Sequence, residues 1–179
     1  MLSDLPLSNN DKELRYTALQ TRVGLWLIGP IVMVIKTNGD MVSLPAFGAN
    51  EPTAVALPDG SVFVLGSNMH NHTETMRRLT LTEQVITVEN KGELPNYLTG
   101  KNVKYKNRYG IAALTLADGR VFTAGGGGYS DDMKRAAIVD TQNGSVQLLP
   151  DMPHARTFAV LLALKDGRVV VAGDNTDGG

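Results

Sequence analysis

Ala56-Leu57-Pro58-Asp59-Gly60-Ser61-Val62-Phe63-Val64-Leu65-Gly66 is followed by two further versions of itself: Leu116-Ala117-Asp118-Gly119-Arg120-Val121-Phe122-Thr123-Ala124-Gly125 and Leu164-Lys165-Asp166-Gly167-Arg168-Val169-Val170-Val171-Ala172-Gly173. Each reads as a β-hairpin. Apolar residues run up to an Asp-Gly pair able to take the positive φ angles of a tight turn, and a β-branched run leads away to a glycine. Between the last two copies, Ala136-Ala137-Ile138-Val139-Asp140 and Ser145-Val146-Gln147-Leu148-Leu149-Pro150 flank Thr141-Gln142-Asn143-Gly144 as a second hairpin. The repeating unit is therefore four strands long.

Asp59, Asp118 and Asp166 lie 59 and 48 residues apart, a spacing close to that of one four-stranded propeller blade, with an insertion in the first period. Strands are predicted near 14–20, 23–29, 31–37 and 41–45, with an Asn38-Gly39 turn, as a degenerate first unit or N-terminal meander over 1–45. A second unit (46–109) uses 54–58, 61–66, 77–82 and 85–89, and a third (110–157) uses 110–117, 120–125, 135–140 and 145–149. The stretch 158–179 supplies two strands, Phe158 to Leu164 and Arg168 to Gly173. The fold class is thus all-β, about three and a half blades of four antiparallel strands. The one helix candidate is Ser8 to Leu14.

The chain at this point resembles the kelch-type repeat, the family that includes the galactose oxidase propeller domain and many protein-binding propellers. The resemblance rests on the Asp-Gly turns, on Gly66, the run Gly125 to Gly128 and Gly173 closing the second strands, on Asp140-Thr141-Gln142-Asn143, and on Leu149-Pro150-Asp151-Met152-Pro153 followed by Arg156. It covers residues 46–179. Val146 stands where kelch blades usually carry a fourth-strand tryptophan, and the one tryptophan is Trp26.

Composition agrees with a globular β protein: 42% hydrophobic and 20% charged residues suffice for a core, and 19 glycines with eight prolines suit many tight turns. A net charge of −1 provides no basic field for nucleic acid or an anionic membrane, so neither is an expected partner. There is no cysteine, hence no disulfide framework, thiolate metal site or cysteine nucleophile. Met1-Leu2-Ser3-Asp4-Leu5-Pro6 lacks the basic-then-apolar order of a secretion signal, and Leu25 to Val34 is too short to cross a bilayer. The cytoplasm or an assembled particle is the most compatible location.

Strand alternation assigns connections to ends. Turns within hairpins are short, whereas Ser67 to Met76, Asn90 to Tyr109, Gly126 to Lys134 and Pro150 to Thr157 are predicted as long loops at the opposite end, the candidate working face. The segment 90–109 carries five basic residues against one acidic and three tyrosines. Tyr97, Lys101, Lys104, Tyr105, Lys106 and Arg108 are its binding candidates, since a flat ring with a polar tip and a charged donor grip a sugar, phosphate or acidic partner.

His70, His72 and Glu74, at i, i+2 and i+4, would share one face of an extended segment and could ligate a metal. The default reading is a polar surface loop, so no cofactor is expected. His154 and Gly125 to Gly128 read as structural, the glycines lacking the following helix a phosphate cradle needs. Asp131-Asp132 reads as exposed. The resemblance implies no catalysis: the galactose oxidase copper site needs a cysteine cross-linked to tyrosine, and the Ser-x-Asp-x-Gly-x-Thr-Trp box of sialidase-type propellers is missing.

The expected function is a non-catalytic scaffold presenting loops to a protein or glycan partner. The alternatives are a structural subunit of a larger assembly, for example a virion component, and a fragment of a carbohydrate-active propeller enzyme. Three and a half blades leave terminal apolar faces that neighbouring chains or further blades must cover. A homodimer is disfavoured, because two identical half blades do not make one four-stranded blade.

Overall fold

The Asp-Gly segments fold into one turn used three times. In Leu57-Pro58-Asp59-Gly60-Ser61 the Gly60 amide donates to Leu57 O at 2.9 Å and the Leu57 amide to Ser61 O at 2.8 Å. The Leu116–Arg120 and Leu164–Arg168 turns repeat both bonds. Only the glycines have positive φ, +88° at Gly60, +84° at Gly119 and +86° at Gly167. This corrects the two-residue turn expected from Asp-Gly. Each aspartate keeps an ordinary backbone because its carboxylate accepts the amide two residues on, from Ser61, Arg120 or Arg168, at 3.0–3.1 Å, and the glycine alone takes the left-handed step of a three-residue hairpin loop. Lys36-Thr37-Asn38-Gly39-Asp40 builds the same turn with Asn38 in the aspartate's place.

The computed structural model describes residues 16–68, 74–95, 110–126 and 134–173. It is all-β over these residues. The first sheet holds β1 (Thr17–Thr21), β2 (Gly24–Ile28), β3 (Val32–Lys36) and β4 (Met41–Leu44). The second holds β5 (Ala49–Ala56), β6 (Val62–Asn68), β7 (Glu74–Thr82) and β8 (Val85–Glu93). The third holds β9 (Ala112–Thr115), β10 (Val121–Ala124), β11 (Ala136–Val139) and β12 (Val146–Leu148), and β13 (Val160–Ala163) pairs with β14 (Val169–Ala172). Every sheet is an antiparallel meander in chain order, the three and a half units read from the repeat. The candidate helix Ser8 to Leu14 lies outside the described residues.

Several boundaries differ from expectation, among them the start of β5 at Ala49 rather than 54. Strands β7 and β8 run on to Glu74 and Glu93, so residues 74–76 and 90–93 of the loops expected at 67–76 and 90–109 are hairpin; the β-bulge between Met76 and Arg77 lets the pair continue past a register shift. In the last unit β13 starts at Val160 rather than Phe158, because Phe158 adopts φ +53°, which a strand cannot contain.

Alternation along the second strands builds three cores between successive sheets. Trp26 and Ile28 of β2 meet Val62 and Val64 of β6, closed by Leu79 and Ile86. Phe63 and Leu65 point the other way, onto Val121, Ala137 and Val139 of the third sheet. Phe122 and Ala124 then pack toward Leu161, Val169 and Val171. Because the side-chain period is two, each strand serves one core with its odd positions and the next with its even ones. Consecutive sheets approach along β1, β5, β9 and β13, where Thr17 donates to Pro52 O, Thr53 to Ile111 O and Thr115 to Ala56 O.

Candidate functional site

The first strands all begin at one end of the stack, where the connections from second to third strand and from sheet to sheet also emerge. Tyr16 and Thr17, Pro52 and Thr53, Gly110 and Ile111, and Phe158 and Ala159 enclose an open cavity of about 340 Å³ there. One pair comes from each of the four units, so the cavity follows from the repeat itself. Its most exposed large side chain is Phe158, 59% accessible. The Phe158 amide donates to Gly110 O at 2.9 Å, and a Cβ on Gly110 would lie 3.0 Å from the Phe158 ring. The left-handed Phe158 backbone is thereby pinned by its neighbour, the kind of strain that survives only where the surroundings dictate it.

Beside this mouth, Arg156 ties the third sheet to β13 and β14. Its carbonyl accepts the Gly126 amide at 2.9 Å, and its guanidinium donates to Gly173 O. A Cβ on Gly125 would fall 2.2 Å from Arg156 O, with φ at +65°. Gly125 and Gly126 therefore serve close backbone approach, as the sequence suggested for this run; Gly127 and Gly128 lie outside the described residues. His154 is exposed at the same connection.

One cation sits between the first and second sheets at this end. The Arg77 guanidinium lies 3.8 Å over the Phe47 ring centroid and donates one bond, from Nη1 to Phe47 O at 2.7 Å. Its Nε and Nη2 are buried without a hydrogen-bond partner, and burial pulls its pKa down to about 10. Nothing in the residue pattern marks this, since Arg77 occupies a strand position like any other.

The opposite end is knitted by polar turns. Arg78 donates from Nε to Ser61 Oγ at 3.1 Å and from Nη1 to Gln142 Oε1 at 2.9 Å, and pairs with the Asp59 carboxylate. Arg22 donates to Asp59 O, and Lys91 to Gln142 O at 2.8 Å, so arginines and a lysine bridge three sheets. Burial opposes ionisation of Asp59, but the Ser61 hydroxyl and amide and the Arg78 charge outweigh it and hold the carboxyl below its ordinary value. Asp118 and Asp166 are held low by side-chain bonds from Arg120 and Arg168. Arg22, Arg78 and Lys91 thus tie neighbouring sheets together at this end, whereas Arg120 and Arg168 bond within their own turns and keep their side chains exposed.

The binding candidates Tyr97, Lys101, Lys104, Tyr105, Lys106 and Arg108 lie outside the described residues, as do His70, His72 and Asp131-Asp132. Glu74 opens β7. Among the described residues no three His, Cys, Asp or Glu side chains gather within reach of one metal ion, and no helix is long and apolar enough to cross a membrane. The long connections belong to the later units: in the first sheet β2 passes to β3 through Gly29, Pro30 and Ile31 alone. Comparison with known proteins finds no family model and no curated protein that matches this chain.

Proposed function

We propose that this chain folds as kelch-like β-propeller blades and works as a non-catalytic binding scaffold, holding a protein or glycan partner at the end where its first strands begin. The observation that carries this reading is the convergence of all four first strands on the Tyr16–Thr53–Gly110–Phe158 mouth, with the exposed Phe158 ring beside it. An apolar ring beside the Thr17 and Thr53 hydroxyl oxygens, which donate internally but can still accept, suits the mixed faces of a sugar or a peptide side chain. In the sequence, Lys101, Lys104, Lys106 and the tyrosines of the basic stretch lie between Pro95 and Gly110. At the opposite end Asp59, Arg78, Lys91 and Gln142 are committed to bonds between sheets.

A second reading, a structural subunit of a larger assembly, is favoured by the outward side of β13 and β14. Val160, Leu162 and Val170 there are 68%, 59% and 42% exposed, although Phe63 and Phe122, which hold the place of Val170 in the preceding hairpins, are inter-sheet core.

A glycan array and proximity labelling, run on the full chain, test the first reading. Phe158→Asn, which suits the left-handed backbone, and a Lys101/Lys104/Lys106→Gln triple variant are each expected to weaken retained partners at least tenfold. Gln142→Ala, at the opposite end, should leave them unchanged. Equal retention by all three variants refutes the reading.

A further inference from the structure

Arg77 and Arg78 are consecutive on β7 and face opposite ways, yet only one of them is satisfied. Arg78 spends all three of its nitrogens: Nε on Ser61 Oγ at 3.1 Å, Nη1 on Gln142 Oε1 at 2.9 Å and Nη2 on the Asp59 carboxylate. Arg77 spends one. Its Nη1 donates to Phe47 O at 2.7 Å, while Nε and Nη2 are buried without a partner. Its cross-strand neighbour Val64 and, two residues on, Leu79 are fully buried in the core between the first and second sheets, so the charge stands in apolar surroundings. Burial is what pulls its pKa down. A carboxylate in reach would push it up, and among the described residues none pairs with it.

We infer that the Nε–Nη2 edge of Arg77 is a binding site for the carboxylate of a ligand, a monoanion taken up between the first and second sheets. This place is distinct from the first-strand mouth, and the scaffold reading is not needed for it.

The edge left over is the one that matches. Nε–H and one Nη2–H are parallel, coplanar donors, the fork that takes both oxygens of a carboxylate. The nitrogen outside that fork, Nη1, is the one used internally. The guanidinium is also set in advance. It lies 3.8 Å over the Phe47 ring centroid, which fixes its plane, and the Phe47 carbonyl fixes its rotation, so little orientation is left to be lost on binding.

A strained connection delivers both contacts. Ala46 at φ +58° and Gly48 at φ +69° place left-handed backbone on either side of Phe47, and the Gly48 amide donates to Pro30 O at 2.9 Å, tying the connection to the β2–β3 turn. A left-handed alanine is unfavourable by itself, and such strain clusters at ligand clamps.

Charge selects the class of ligand. One positive charge in apolar surroundings is neutralised by a monoanion, whereas a phosphate dianion brings a second, unbalanced charge and a neutral ligand leaves the cation unpaired. Arg77 as a residue is only half-buried, so water meets part of the same side chain. The unpaired fork is unfavourable by itself, and a carboxylate on it turns the same group favourable.

The probe is acetate, offered to the full chain with chloride replaced at constant ionic strength. The melting temperature should rise saturably, by about 3 °C or more. Arg77→Leu should abolish the rise, and Arg77→Lys, which keeps the charge without the fork, should lose most of it. General stabilisation by acetate appears in all three proteins alike and cancels. In 15N-labelled wild-type protein the Arg77 Nε–H resonance should shift with the same midpoint, a readout that stands even if a variant fails to fold. The peptide acetyl-Gly-Glu-Gly-amide, with its Gln counterpart as control, separates the sources: a response to acetate alone supports a free carboxylate, and a response to the Glu peptide as well supports an acidic side chain. A temperature rise equal in Arg77→Leu, or an unmoved Nε–H resonance, overturns the site. Equal stabilisation by inorganic phosphate overturns the monoanion. Phe158→Asn should leave the acetate response unchanged, so this site and the mouth fail separately.

Discussion

Leu65 and Leu162 make the sharpest test of the stacked-sheet architecture, because the same truncation meets opposite surroundings. Leu65 is 2% exposed in the core between the second and third sheets, while Leu162, on the outward side of β13, is 59% exposed. Leu→Ala removes three carbons. At Leu65 the lost transfer energy adds to a cavity that two packed sheets cannot close, and the cost is expected at about 3 kcal/mol or above. At Leu162 only about two-fifths of the side chain leaves water on folding and no cavity forms. With ~0.8 kcal/mol per buried methylene, the loss should be about 1 kcal/mol. Urea unfolding of both variants at low concentration, with the slope against denaturant unchanged, measures the two values on one scale. A Leu162→Ala loss equal to that of Leu65→Ala, independent of protein concentration, would refute the reasoning, for it would mean that the end of the stack is already covered.

Backbone approach and backbone conformation separate at two glycines. Gly119→Ala meets nothing within 4 Å at φ +84°, so conformational strain of about 1 kcal/mol is its whole cost; Gly125→Ala adds a 2.2 Å collision with Arg156 O and should lose at least 2 kcal/mol more in the same urea assay. Arg77→Leu removes a cation with two unpartnered buried nitrogens and is expected to leave stability unchanged or raise it by about 1 kcal/mol; a loss above 2 kcal/mol would show that the Phe47 contact dominates. Asp59, Asp118 and Asp166 have folded-state pKa values below the ordinary 3.8. Their contribution is complete above that value and is lost as pH falls through the lowered ones, so acid unfolding should steepen below pH 4 and flatten in an Asp118→Asn, Asp166→Asn double variant.

Most of the fold was legible because the repeat states it in two independent ways. The turn chemistry of Asp59-Gly60, Asp118-Gly119 and Asp166-Gly167 fixes where chains reverse, and the alternation in Val62 to Leu65 and Val121 to Ala124 fixes that both faces of a sheet are buried. Stacking follows, since a sheet apolar on both sides needs a neighbour on each. The turn type was less legible: an Asp-Gly pair suits either a two-residue or a three-residue hairpin loop, and the choice is made by the aspartate carboxylate accepting the amide two residues on, a bond that composition does not reveal.

The end opposite the hairpin turns was singled out in the sequence, but the residues that form its mouth were barely legible, and the reason is physical. Residues that define a core recur with the strand period, whereas Tyr16, Pro52, Gly110 and Phe158 meet only because four sheets place the starts of their first strands together. Phe158 even reads as a strand residue, and its left-handed backbone depends on a hydrogen bond to Gly110, from another sheet. Arg77 is hidden in the same way, its environment set by Phe47 on the connection between two sheets. The repeat thus specifies the frame, while departures from it (Phe158 before β13, Arg77 within β7, the basic stretch 96–109) carry what distinguishes this chain from any other stack of such sheets. Substitutions there should change what the protein holds with little effect on whether it folds, and substitutions at the repeat positions should do the reverse.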